Sequence, residues 1–227
     1  MSVPVVFFCM GGGFMQIFTG VVLSYLLGSI PTGYLLGRML RGIDIRHYGS
    51  GNVGATNAFR ALGKGPGVVV LIVDILKGVL AVVVLGPLFS LDGIVECVLL
   101  GIAVVCGHNW TVFLRFKGGK GIATSLGVLI GLAIKFVTLR PVLLLTLLAW
   151  VSTFILSHMV SLSSLVAALA LPCLMMLTGQ VIEIVALGWI FCVFVFLRHW
   201  PNIQRLVRGE ESKIHFSSKI SSGHPSS

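Results

Sequence analysis

The sequence predicts an all-α integral membrane protein: seven transmembrane helices with glycine-rich loops on the cytoplasmic side. Three observations carry that prediction. First, the 227-residue chain is 56% apolar and only 10% charged, with a mean hydropathy of +1.05. Soluble domains average about 25% charged residues. Second, the apolar residues fall in runs near the ~20 residues that a membrane-spanning helix needs. Third, the cations gather in alternate connections between those runs. Such a chain builds its core from the bundle itself, so residues 14–209 read as one seven-helix membrane domain.

The runs are, in order, Phe14–Gly37, Pro66–Leu88, Ile94–Phe113, Gly121–Val137, Pro141–Ser157, Met159–Thr178 and Val181–Leu197. The third is the least clean, because Glu96, His108 and Asn109 interrupt it. The first lacks a basic n-region and continues into polar signals instead of a cleavage site, so it reads as a span and not a signal peptide. Residues 1–13, "MSVPVVFFCMGGG", are expected to be a dispensable extension, with Met15 as an alternative start. Residues 210–227 are expected to form a polar cytoplasmic tail, disordered where it turns serine-rich after Lys213. The five cysteines are scattered through apolar runs at no metal-site spacing. They read as buried thiols acting as small hydrophobes.

Seven crossings put the termini on opposite faces, and positive charge identifies the cytoplasmic one. Arg38, Arg41, Arg46, Arg60 and Lys64 lie between the first two spans; Arg115, Lys117 and Lys120 lie in the next loop on that face. Arg198, Arg205, Arg208, Lys213 and Lys219 follow the last span, for thirteen of the 16 Lys and Arg residues. The opposite loops carry Asp92, Glu96 and Glu183 against Lys135 and Arg140. The N-terminus is therefore expected outside and the C-terminus in the cytoplasm. A net charge of +9 also suits anionic lipid headgroups, which accounts for Arg205, Arg208, Lys213 and Lys219. It does not account for the glycines.

The first polar stretch, "GSGNVGATNAFRALGKG" at 49–65, contains a formal G-x-G-x-x-G. A dinucleotide fold needs a preceding strand and alternating strands and helices, and neither is present. The physics of the motif survives: glycines let successive N–H groups face one concavity that suits an anion. A short helix from about Ala55 adds its N-terminal amides. Ser50, Asn52, Thr56 and Asn57 supply neutral donors, and Arg60 a fork matched to phosphate oxygens. A tight turn with a helix cap is the competing explanation.

The second stretch, "FLRFKGGKGIATSLG" at 113–127, lacks the Gly-Lys-Ser/Thr step of a P-loop, so nucleotide hydrolysis is not expected. "KGGKG" before a helix starting near Ile122 repeats the same design: loop amides around Gly119, a helix N-terminus and the Lys120 charge. An interfacial basic loop that merely orients helices is the alternative. The third, "HMVSLSS" at 158–164, places Ser161, Ser163 and Ser164 near a helix start. "RHWPNIQRL" then ends the last span: Trp200 reads as an interfacial anchor with Arg198 snorkelling beside it, and His199 as another anchor or a ligand for a substrate hydroxyl. Asp74 and Lys77, one turn apart inside the second span, read as a structural pair, with a place lining the site as the alternative.

Two anion cradles on one surface suggest a substrate pair with two phosphates. Metal-dependent phosphatidyl transfer needs clustered carboxylates, and the polar segments supply only Asp44. No metal, cofactor or nucleic-acid partner is expected. A transporter for a phosphorylated metabolite is the alternative function, but it would put broken helices near the midplane and not at one surface. A lipid-binding scaffold would not need such dense glycine placement.

"GSIPTGYLLGR" (28–38), "GSGNVGATNAFRALGKG" (49–65), "GHNWTVFLRFKGGKGIATSLG" (107–127), "VSLSS" (160–164) and "RHWPNIQRL" (198–206) together resemble the bacterial acyl-phosphate:glycerol-3-phosphate acyltransferases. Order and spacing match over nearly the whole chain beyond residue 15. The resemblance implies a seven-helix inner-membrane enzyme of phospholipid synthesis. It would acylate the sn-1 hydroxyl of glycerol 3-phosphate from acyl phosphate, releasing lysophosphatidate and inorganic phosphate. The site it implies is Ser50, Asn52, Thr56, Arg60, Lys120, Ser164, His199 and Asn202, with Asn57 and Gly119 in the same segments. Arg60 and Lys120 would hold phosphates, and His199 and Asn202 would meet the glycerol end. Three positions depart from the family pattern: Thr111 where proline is usual, His158 where a cation is common, and Pro201 inside the last motif.

Overall fold

The computed structural model describes residues 5–213, with side chains from residue 13 onward. The serine-rich part of the tail, 214–227, and most of the extension 1–13 lie outside the described side chains. The described chain is helical throughout: α1 (Val5–Ser29), α2 (Thr32–Arg41), α3 (Ala55–Leu62), α4 (Lys64–Leu80), α5 (Gly86–Leu88), α6 (Ile94–Asn109), α7 (Ile122–Lys135), α8 (Arg140–Ser157), α9 (Val160–Leu177), α10 (Ile182–Arg198) and α11 (Trp200–Val207). Each apolar run of the sequence coincides with one or two of these helices. The protein is an integral membrane, multi-pass bundle.

Among the described residues five segments are long and apolar enough to cross a membrane, or six if α10 and α11, bent by 64° at His199, count as one. The remaining apolar helix, α7, has 14 residues and is shorter than that criterion. The first run, expected to continue to Gly37, breaks at Ile30–Pro31. Proline has no N–H to give and disfavours helical backbone in the residue before it. The break strips the Ile30 carbonyl of a helical partner, and Lys77 Nζ supplies one at 2.5 Å. The same ammonium donates to Thr32 Oγ1 and to Asp74 Oδ1, each at 2.8 Å. The Asp74–Lys77 pair is thus structural, as the sequence suggests, and it pins α4 to the break. A one-turn π-helical stretch, Ala81–Leu85, then links α4 to α5.

In lipid there is no solvent to squeeze helices together, so close van der Waals approach carries the packing. Glycines provide it. A Cβ at Gly28 of α1 would run into the Val104 carbonyl of α6, and one at Gly107 of α6 into the Tyr25 carbonyl of α1. Gly78 of α4 and Gly127 of α7 abut in the same way. The main core gathers Val82, Val104, Val128, Leu132, Met175, Leu187 and Phe191. Leu144, Leu148, Leu156, Leu177 and Ile182 are exposed on the outside, as a lipid-facing surface requires.

At one end of the bundle α2, α3, α11 and the glycine loops collect. A second apolar cluster there joins Ile45, Val53, Ala58 and Leu62 of the first loop to Leu114 of the second. A third sets Ile122, at the start of α7, against Leu165, Val195 and Ile203. At the opposite end Lys135, one of two cations that dissent from the charge pattern, is bonded to Asp92 at 2.6 Å.

Candidate active site

The first loop is organised by two asparagines. Asn57 is buried in the first turn of α3; its Oδ1 accepts from the Ser50 amide at 2.8 Å. Its Nδ2 donates to the carbonyls of Asn52 (2.8 Å), Tyr48 (3.0 Å) and Ile45 (3.1 Å). Asn52 Oδ1 accepts from the Gly54 amide at 2.8 Å, which sets up the N-terminus of α3. Both side chains are thus engaged inside the loop, while Ser50 and Arg60 are exposed on it and Thr56 is half-buried in the first turn of α3. Asp44 is held by Arg46, with Nη2 at 2.7 Å, and the guanidinium pulls that carboxyl down to about 2. From α2, Arg41 donates to the Ala61 and Leu62 carbonyls at 2.9 and 3.0 Å, capping the far end of α3.

The second loop is clamped on both edges. Gly118 N donates to Asn109 O at 3.2 Å and Gly119 N to His108 O at 2.9 Å. The Gly119 amide, expected to face an anion, is therefore committed to the end of α6. A Cβ at Gly119 would collide with His108 Nε2, so a larger residue fits that approach only if the ring moves. Gly121, with φ +79°, turns the chain into α7 through the left-handed region that favours glycine. Arg198 holds the other edge: its Nε donates to Gly119 O at 2.9 Å and its Nη2 to Gly118 O at 2.7 Å. It does not snorkel, because these two carbonyls offer it partners inside the bundle.

Lys120 follows directly, and its Nζ donates to Asn202 Oδ1 at 2.5 Å. Burial, acting first, and the nearby charges of Arg205, Arg198 and Arg60 bring the ammonium down to about 8, although Glu211 opposes them. Arg60, on the first glycine loop, is thus among the charges that act on Lys120 in the second. Next to Asn202, the buried His199 holds its Nδ1 2.9 Å from Val195 O. A carbonyl only accepts, so Nδ1 carries the hydrogen and Nε2 is left as an acceptor. Burial and the Lys120 charge push this imidazole down to about 4, so it is neutral at physiological pH. Ser164 is buried and bonded within α9 to Val160 O at 2.7 Å, and it accepts from Trp150 Nε1 at 3.3 Å. His158 ends α8 in a left-handed conformation, φ +57°.

Two residues of this site were not expected in it: Arg198, read from the sequence as a snorkelling interfacial cation, and Glu211, in the segment assigned to the tail. Glu211 accepts from Asn202 Nδ2 at 2.7 Å and Arg205 Nε at 2.8 Å. Burial works against its charge, but those hydrogen bonds prevail and hold its carboxyl below the ordinary range. Its partners lie nine and six positions back, around the end of α11, where no linear periodicity shows them.

The glycerol-3-phosphate acyltransferase family matches residues 18–209. The glycerol-3-phosphate acyltransferase of Synechococcus sp. (strain CC9902) is 47% identical over 194 residues, covering 86% of this chain and 93% of that protein. The one of Desulforudis audaxviator (strain MP104C) is 46% identical over 195 residues, with coverage of 86% and 93%. The crystal structure of PlsY (YgiH), an integral membrane glycerol 3-phosphate acyltransferase, superposes in its glycerol 3-phosphate form with a TM-score of 0.78 at 37% identity, covering 88% of this chain and 96% of that one. Its lysophosphatidic acid form gives 0.76 at 36% identity, with coverage of 88% and 95%. A match of this extent in sequence and in fold means that this chain belongs to the glycerol-3-phosphate acyltransferase family.

Proposed function

We propose that this enzyme transfers the acyl group of an acyl phosphate to the sn-1 hydroxyl of glycerol 3-phosphate, giving lysophosphatidate and inorganic phosphate. The observation that carries the reading is the meeting of Lys120, Asn202 and His199: an ammonium and a neutral imidazole acceptor stand side by side on the basic end of the bundle. The lysophosphatidic acid form of the related crystal structure supports the product, and its glycerol 3-phosphate form supports the acceptor.

A mixed anhydride is already activated, so positioning and charge neutralisation supply most of the catalysis. The hydroxyl oxygen attacks the carbonyl carbon, the bond from that carbon to the phosphate oxygen breaks, and the phosphate leaves with the electron pair. Lys120 and Arg60 neutralise the phosphates. His199 accepts a hydrogen bond from the hydroxyl through Nε2 and aims it. An imidazole held near 4 is too weak a base to keep the proton, which passes to a substrate phosphate. Ser50 and Thr56 bind phosphate oxygens, Asn52 and Asn57 keep the first loop in shape for them, and Gly119 and Ser164 shape the ground beside Lys120.

The chain crosses the bilayer seven times in this reading, with the short α7 as the fourth span, its N-terminus outside and its C-terminus in the cytoplasm. The lopsided Lys and Arg distribution supports that orientation, and so does the pairing of the dissenting Lys135 with Asp92. The membrane is the bacterial cytoplasmic one. Purified protein given acyl phosphate and radiolabelled glycerol 3-phosphate is expected to yield labelled lysophosphatidate and one phosphate per turnover, with acyl-CoA inert as the control donor. Product from acyl-CoA alone would overturn the donor assignment.

A further inference from the structure

We propose that Arg198 is a positioning residue for the reaction: its guanidinium fork grips the Gly118 and Gly119 carbonyls and thereby fixes the direction in which Lys120 projects. The inference rests on the reading above, in which Lys120 meets a substrate phosphate.

The geometry is that of a clamp. Arg198 Nη2 and Nε bond two successive carbonyls at 2.7 and 2.9 Å. On the other edge of the same two residues, Gly118 N and Gly119 N bond the Asn109 and His108 carbonyls. The peptide that joins Gly118 to Gly119 cannot rotate without breaking a bond on each side, and the peptides before and after it are each held by one bond. Lys120 is the next residue, so its Cα is set by the clamp, while its ammonium is held by Asn202 at 2.5 Å. Arg198 and Asn202 flank the 64° bend between α10 and α11. One corner of the fold therefore holds Lys120 at both root and tip.

A fork is required for this. Arginine presents several N–H donors at fixed spacing, whereas lysine carries a compact point charge on a flexible stem. Arg198→Lys keeps the cation and loses the bridge between two carbonyls, so it separates geometry from charge. The charged and titratable groups that face Lys120 are Glu211, Arg205, Arg198, Arg60 and His199, and R198K leaves the sign of each unchanged.

The test is amine labelling of the detergent-purified protein across pH, read at Lys120 by peptide mass spectrometry, alongside glycerol 3-phosphate kinetics. In R198K the loop swings free. Lys120 is then expected to label faster, with a midpoint raised from about 8 toward the ordinary lysine range as its burial is relieved. A misplacement of about 1 Å costs ~10²-fold, so kcat/KM should fall by that order. Adding K120A should then cost little more, since the two residues act as one unit. Unchanged labelling in a folded R198K protein overturns the proposal, and so do fully additive losses. Faster labelling with no effect of K120A on turnover upholds the clamp and instead refutes the role given to Lys120. Where R198K does not accumulate, R198Q is labelled instead; its plateau rate at high pH reads exposure independently of charge, and a wild-type plateau counts against the clamp.

Discussion

Lys120 Nζ lies 2.5 Å from Asn202 Oδ1, joining two motifs 82 positions apart in the chain. A lysine ammonium has three donors, so one bond to an amide oxygen leaves two to meet an incoming phosphate. The contact holds the ammonium in place without neutralising it.

Replacing that ammonium should therefore remove transition-state stabilisation and leave the fold intact. Lys120→Ala is expected to lower kcat/KM by ~10²–10³-fold, the usual cost of losing one preorganised charge contact. Lysophosphatidate formation by matched amounts of membrane-inserted protein measures it. Near-normal turnover would remove Lys120 from the site.

The pH profile follows from the same cluster. Lys120 is held near 8, so it is charged below that value and loses its proton above it. Capture of glycerol 3-phosphate should weaken as pH rises through about 8. His199, held near 4, is neutral on both sides of neutrality and should add no inflection between pH 5 and 7. Lys120→Arg should move the alkaline limb upward, because a guanidinium stays protonated. Steady-state kcat/KM against pH checks all three statements.

Much of this was legible in the sequence. The apolar runs fall on the helices because bilayer thickness fixes their length and hydrocarbon their composition. Glycine-rich turns before Ala55 and Ile122 mark real helix starts, since few residues other than glycine take the φ of +79° found at Gly121. Three features were not legible. The break at Ile30–Pro31 is visible as a proline, but its repair by Lys77 depends on a contact 47 positions away. Arg198 looks like any interfacial cation until folding brings the Gly118 and Gly119 carbonyls to it. Glycine amides that seem available for an anion are partly consumed by loop closure, as at Gly119. Local pattern shows which groups a segment offers, and tertiary contact decides which of them stay free.

Gly119 offers a steric test. A methyl group there collides with His108 Nε2, and the backbone carbonyl of His108 is itself a partner of the loop. Gly119→Ala should displace the loop, reduce kcat/KM by ~10²-fold and lower the unfolding temperature in detergent. Retention of both would show that His108 moves aside freely.

Lys77→Met should act on stability first. It leaves the buried Asp74 without its lysine and the Ile30 carbonyl with only the Thr32 amide as donor. Breaking a buried pair from one side costs about 3–5 kcal/mol. Asp74→Asn in the same chain should recover part of that loss, because the stranded charge is gone. Unfolding of both variants in the same micelles gives the comparison.

The interruption of the first span also ties it to the first glycine loop. Beyond Pro31, α2 bares Leu35, Met39 and Leu40 to its surroundings, while its Arg41 grips the end of the helix that bears Arg60. Two carbonyls therefore couple the inner end of that span to α3, and a displacement of one carries the other with it.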